Sequence, residues 1–104
     1  MFKAIMKNAI DSCNLVILKF NSKEKGIITR RCVPFDIGPR SNSRDKSIIY
    51  FHFYDLDSPE GNHNLSILPD NILNLEITGE TFKPSDYVKW TTNWIYKRNW
   101  GIYS

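Results

Sequence analysis

The chain has 104 residues, of which 41% are hydrophobic, 13% aromatic and 24% charged. This length and composition indicate one globular domain with one modest core, here residues 1–104. No apolar run reaches the roughly 18 residues of a membrane-spanning helix, and the N-terminus lacks the apolar block of a signal peptide. Because Cys13 and Cys32 are too few for a disulfide framework, we expect a cytoplasmic protein that does not bind membranes.

The net charge of +3 conceals an uneven distribution along the chain. Residues 19–46 carry eight basic and three acidic side chains, whereas residues 47–88 carry one basic and seven acidic ones. If the basic segment forms one face, it favours an anionic partner. The alternative is that both segments are solvated loops that partly neutralise each other.

Apolar residues at helical spacing predict a short amphipathic helix over residues 2–12. Residues 15–20 (LVILKF) predict the first strand, and a charged turn that ends in Gly26 connects it to a second strand over residues 27–33. Pro34 has no N–H to donate and is expected to end that strand. Residues 36–46 (DIGPRSNSRDK) predict one long loop.

The longest apolar and aromatic run, residues 47–56 (SIIYFHFYDL), predicts the strand around which the others wrap. Alternation places Ile49, Phe51 and Phe53 on the core face. Tyr50, His52 and Tyr54 fall on the opposite face.

Two further strands are predicted at residues 63–68 and 72–78. In the second of these we expect Leu73, Leu75 and Ile77 to point inwards, and Gly79 to turn the chain. No connection is long enough for a crossover helix, so the fold class is mainly β (α+β), a small SH3-like antiparallel barrel of about five strands over residues 15–82.

Residues 84–104 are predicted to form an aromatic C-terminal extension. Pro84 is typical of a helix start, and aromatic residues then recur at helical spacing. Thr91, Thr92 and Asn93 are poor helix formers, so a broken, irregular extension is an equal alternative.

Three motifs occur in the order found in WYL domains: residues 30–34 (RRCVP), 49–51 (IYF) and 75–82 (LEITGETF). The chain resembles this family of bacterial ligand-sensing regulatory modules over about residues 2–84. The resemblance implies an SH3- or Sm-like barrel that holds an anionic ligand, with Arg30 facing it. Members usually carry two arginines before the last strand, whereas residues 63–72 (HNLSILPDNI) contain none and no helix-turn-helix precedes the domain. The chain therefore resembles a stand-alone or degenerate member.

The residues predicted to bind a ligand combine basic side chains, for phosphate, with aromatic ones, for stacking. They are Arg30, Arg31, Arg40, Arg44, Tyr50 and His52. The alternatives are that the arginine pair blunts a sheet edge and that the aromatic face is ordinary cross-strand packing.

Other chemistries have weaker support in the sequence. Cys13, Cys32, His52 and His63 lack the spacing of a zinc site, and no acid or oxyanion donor completes a Cys32–His52 pair. We therefore expect no catalytic residue, metal or cofactor. Three tryptophans, Trp90, Trp94 and Trp100, lie among basic residues and favour a lid or a dimer contact, with nucleic-acid stacking as the alternative.

These patterns predict a non-enzymatic module that recognises an anionic ligand such as a nucleotide or short, single-stranded nucleic acid. The alternative is a structural or protein-interaction domain that has lost the anionic site and forms a homodimer through its tryptophan-rich tail.

Overall fold

The computed structural model describes residues 2–104. The elements are α1 (Lys3–Ser12), β1 (Asn14–Ser22), β2 (Gly26–Gly38), β3 (Tyr50–Asp55), β4 (His63–Ile67), a 3-10 turn (Pro69–Asn71), β5 (Ile72–Thr81), α2 (Pro84–Tyr87) and a second 3-10 turn (Gly101–Tyr103). The prediction of a mainly β fold with five antiparallel strands and an N-terminal helix is confirmed.

The five strands form one sheet in the order β4-β3-β2-β1-β5. Within residues 2–104 no ladder joins β4 to β5, so the sheet is open rather than a closed barrel. The prediction that β3 is the central strand was wrong, because β2 occupies that position and pairs with both β1 and β3. Strands β2, β3 and β4 follow one another on one side of β1, and β5 returns to its other side.

Strand β2 does not end at Pro34, as the sequence predicted, but continues to Gly38. The register between β2 and β3 shifts between Pro34 and Asp36, and such a bulge accommodates a residue that lacks an N–H. The extension removes Asp36 from the predicted loop and buries it within the sheet.

The core is formed by the sheet, α1 and the segment after β5. Phe51 and Phe53 of β3 are buried as predicted, and Met6 and Ile10 of α1 are fully buried. Ile49, which was also predicted to face the core, is 42% exposed because it lies before the first residue of β3.

The predicted alternation of β5 is only partly correct. Leu75 is buried, but Leu73 is 47% exposed and Ile77 is also exposed on this edge strand. The register explains Leu73: Lys19 pairs with Asn74 and Phe20 with Ile72, so Leu73 is an extra residue at a bulge and Ile72 takes its place in the core. Gly79 lies within β5 and does not turn the chain there.

The extension after β5 is irregular, as one of the two alternatives predicted. Helix α2 has only four residues, and residues 88–100 contain no helix or strand. Val88, Trp94 and Trp100 are nevertheless buried, so side-chain packing holds this segment on the domain. The described residues include no helix that is long and apolar enough to cross a membrane.

Candidate functional site

Residues 88–104, called the tail below, are fixed to the sheet by Asp36. Its carboxylate accepts hydrogen bonds from the backbone N–H groups of Ile95 and Tyr96, each at 2.9 Å. It also lies 3.2 Å from Nη2 of Arg98. We call the ion pair of Asp36 with Arg98, together with these two backbone bonds, the latch.

The Arg98 side chain is 0% exposed and has several partners besides Asp36. Its guanidinium donates to the carbonyl oxygens of Phe35 and Tyr96. It lies 4.2 Å from the ring centroid of Trp94 and 4.5 Å from that of Trp100. Burial lowers the pKa of Arg98 to about 10, which leaves the group charged at neutral pH.

The aromatic side chains of the tail pack on those of the sheet. Phe35 of β2 contacts Trp90 and Trp94 with ring centroids 5.8 and 5.6 Å apart, and it also stacks with Tyr54. Tyr54 contacts Tyr87 of α2 as well. Tyr54 therefore takes part in cross-strand packing, which was the alternative interpretation of the predicted aromatic face.

An open groove of about 890 Å³ lies between the tail, the sheet and the loop at residues 39–49. Its tail wall contains Trp90, Thr91, Asn93, Trp94 and Ile95. Trp90 is 50% exposed, so part of its indole is available to the groove.

The loop wall of the groove is basic, with Arg40 and Lys46 both exposed. The Arg40 guanidinium lies 4.8 Å from the centroid of the Tyr50 ring. Lys46 donates from Nζ to the carbonyl oxygens of Arg40 and Ser41 at 3.0 and 2.9 Å, which ties the loop together. No carboxylate within residues 2–104 forms an ion pair with either cation.

The sheet side of the groove is polar. The two ring nitrogens of His52 lie 2.8 Å from Ser66 Oγ and 2.8 Å from the Gly38 carbonyl oxygen. Because a carbonyl oxygen only accepts, Nε2 donates to Gly38, and in the neutral ring Nδ1 accepts from Ser66. The His52 ring is thus fixed by the protein, and its nitrogens are already occupied.

Three exposed asparagines also line the groove, and each belongs to a different one of its three walls. Asn42 lies in the loop, Asn64 in β4 and Asn93 in the tail. Their amides make no hydrogen bond to another group of residues 2–104 and can therefore donate to and accept from a ligand.

The remaining predicted arginines lie elsewhere. Arg30 donates to the buried Asp55 at 3.1 Å and lines a separate cleft of about 190 Å³. Arg31 lies 3.8 Å from Asp57 and 3.5 Å from Glu80. Arg44 is exposed in the loop but does not line the groove.

Of the six predicted residues, Arg40 and His52 line the groove, and Tyr50 contacts Arg40 without lining it. The structure adds Lys46 and the three asparagines, which the sequence analysis did not single out. Lys46 could have been predicted as a candidate from the sequence, since it lies in the basic loop. The asparagines and Asp36 could not, because an isolated polar residue in a loop or strand predicts no particular contact.

Neither cysteine has the surroundings of a reactive thiol. Cys32 is fully buried, and its pKa is raised by burial and further by Asp55. Burial also raises the pKa of Cys13. Within residues 2–104 no three histidine, cysteine or acidic side chains are grouped as metal ligands.

No family model matches this sequence, and neither the curated proteins nor the solved structures searched contain a match. The WYL resemblance accordingly stays a prediction.

Proposed function

We propose that the protein is a non-enzymatic module that binds an anionic ligand in the groove, namely a nucleotide or a short single-stranded nucleic acid. One observation carries the proposal: two cations without an acidic partner, Arg40 and Lys46, share the groove with the half-exposed Trp90. Phosphate needs the cations and a nucleobase needs the aromatic face, and the groove offers both.

The cations are suited to phosphate because their charge is not already neutralised. The fork of N–H donors of Arg40 matches phosphate oxygens, and its stacking on Tyr50 limits the conformations of the side chain. Lys46 adds a compact charge on the same wall. The only carboxylate that lines the groove among the described residues is that of Asp36, and Arg98 pairs with it.

Trp90 provides a stacking surface that other aromatic rings hold in place. Phe35 and Trp94 both meet its ring in edge-on contacts, with centroids 5.8 and 6.0 Å away. A base that stacks on such a ring gains about 1–3 kcal/mol. The free amides of Asn42, Asn64 and Asn93 are of the type that reads base edges in single strands.

The resemblance to WYL domains supports the same class of function, since it implies a bacterial regulatory module with an anionic ligand. The residues involved differ from those that the resemblance implied, because Arg30 is paired with buried Asp55. We propose no catalytic role, since the buried Cys32 thiol is not activated.

The test is a fluorescence anisotropy titration with labelled oligouridylate and oligothymidylate at two salt concentrations. Neutralisation of phosphate by two cations predicts a slope of about −1.4 for log K against log salt. We expect Arg40→Ala and Trp90→Ala each to weaken binding by about 5- to 100-fold, and Trp90→Phe to retain most of the affinity.

Arg44→Ala is the matched control, because it removes the same side chain from the same loop but outside the groove. It should bind as tightly as the wild type, apart from a small long-range charge effect. Absence of binding at low salt, or equal losses for Arg40→Ala and Arg44→Ala, would refute the groove as the site.

The tail also favours a second candidate, a protein-interaction domain that dimerises. Ile95 and Ile102 are exposed on the tail together with Trp90. Sedimentation of the full chain over a range of concentrations tests it. A dimer that Ile102→Glu dissociates would support this candidate, whereas a monomer at all concentrations would exclude it.

A further inference from the structure

We infer that ligand binding in the groove is coupled to docking of the tail, with Asp36 and Arg98 as the positioning residues of the site. This inference rests on the proposed function, because it concerns the regulation of the same groove. Neither residue needs to contact the ligand: they act by holding the wall that carries Trp90.

The tail supplies a full side of the groove. Five of the lining residues, at positions 90, 91 and 93–95, belong to it. If the tail leaves the sheet, Trp90 moves away from Arg40 and Lys46, and the two halves of the binding site separate. The cations alone would then bind phosphate without a stacked base.

The tail is attached in a way that permits such release. Residues 88–100 form no ladder with the sheet, so no row of backbone bonds retains them. The polar attachments to the sheet converge on Asp36 and on the neighbouring Phe35 carbonyl. Two further hydrogen bonds hold the tail against α1: Trp100 Nε1 donates to the Ile10 carbonyl at 2.9 Å, and the Tyr96 hydroxyl donates to the Asp11 carboxylate at 2.7 Å. The apolar attachment of the tail is the packing of Val88, Trp94 and Trp100 in the core, and a segment held by side chains without a backbone ladder can open separately from the sheet.

The coupling between ligand binding and docking of the tail follows from thermodynamic linkage. A ligand that binds the docked form more tightly than the released form shifts the population towards docking. The backbone N–H groups of Ile95 and Tyr96 report on docking directly, because both donate to Asp36 only while the latch is closed. At a free ligand concentration ten times Kd, their exchange through tail opening should slow by up to about elevenfold, and by less to the extent that the released form still binds phosphate.

Gly38 offers a way to disturb docking without removing a groove side chain. A Cβ placed at Gly38 would lie 2.9 Å from Cγ1 and 3.0 Å from Cβ of Ile95, so the tail must shift to accommodate it. Gly79 is the matched control, since a Cβ there meets nothing within 4 Å and the backbone has no positive φ.

The experiment measures oligouridylate affinity, tryptophan emission and amide exchange by NMR for the wild type, Gly38→Val and Gly79→Val. All three tryptophans lie in the tail, so emission of the ligand-free folded protein reports the environment of the tail. We expect Gly38→Val to shift emission to the red and to weaken binding at least fivefold, and Gly79→Val to do neither. In the wild type, bound oligouridylate should protect the Ile95 and Tyr96 amides.

The outcomes separate the two proposals. If the wild type does not bind oligouridylate even at low salt, the proposed function fails and the coupling fails with it. If it binds but the two amides exchange at an unchanged rate, only the coupling is wrong. The amide measurement needs no variant, so it decides the question even if Gly38→Val does not fold.

Discussion

Replacing Asp36 with alanine removes the acceptor on which the latch depends. The carboxylate accepts from the N–H groups of Ile95 and Tyr96 and pairs with the buried Arg98. After Asp36→Ala, the backbone N–H groups of Ile37, Ile95 and Tyr96 lose this acceptor and one buried cation has no counter-ion. The perturbation therefore acts on the tail and leaves the ladders of the sheet intact.

The loss in the free energy of unfolding caused by Asp36→Ala cannot exceed the free energy with which the tail docks on the sheet. Breaking a buried ion pair by removing one partner costs about 3–5 kcal/mol, and each buried donor left unpaired costs about 1–3 kcal/mol. The tail can avoid most of this cost by leaving the sheet, where water solvates the freed groups. The loss in the free energy of unfolding then equals the docking free energy. We expect a loss of about 3 kcal/mol, the lower end of the cost of breaking a buried ion pair, which lowers a urea midpoint by about 2 M at a slope of about 1.5 kcal/mol/M.

Urea unfolding followed by two probes checks this reasoning. Tryptophan emission reports the tail, and far-ultraviolet circular dichroism reports the sheet. In Asp36→Ala the emission midpoint should fall further than the dichroism midpoint, so that the two transitions no longer coincide. Asp70→Ala, at an exposed position of the first 3-10 turn, is the control and should change stability by less than about 0.5 kcal/mol. An Asp36→Ala protein as stable as that control would refute the latch, and coincident transitions would refute separate release of the tail.

Two further predictions test the interior. Under native conditions at pH 8, iodoacetamide should not label Cys32, because its thiol is buried and its pKa is raised. Peptide mass spectrometry measures the labelling, and rapid labelling without denaturant would contradict the prediction. Leu75→Ala should destabilise the protein by about 2–5 kcal/mol and Leu73→Ala by less than about 1 kcal/mol, measured by urea unfolding, because the bulge in β5 turns Leu73 to solvent. Equal losses would show that the register of β5 is different.

Most of the fold was predictable because its strands alternate apolar and polar residues and end at turn residues. The β3 pattern correctly buries Phe51 and Phe53, and α1 follows helical spacing as far as Ser12. Two of the errors lie where a bulge breaks the alternation, at Pro34 in β2 and at Leu73 in β5. A bulge depends on the partner strand, so local sequence does not reveal it.

The groove was predictable only in part for a related reason. Arg40 and His52 were found because basic and aromatic residues are recognisable candidates wherever they occur. Arg98 was not found, since its partner Asp36 lies 62 residues away and the connecting tail has no periodicity. Contacts of an irregular segment follow from the complementarity of individual side chains, which a single sequence does not encode as a pattern.

The chemistry of the latch nevertheless explains why position 98 holds an arginine. The site must satisfy several acceptors at once, on Asp36, Phe35 and Tyr96, while two indole rings cover the cation. A guanidinium is planar, carries five donors in fixed directions and stacks on aromatic faces, whereas an ammonium is compact and strongly hydrated. Lysine would lose more hydration on burial and could direct its three donors to fewer of these acceptors. An arginine at this position therefore joins an irregular tail to a sheet at one point, and the stability of the groove wall depends on that point.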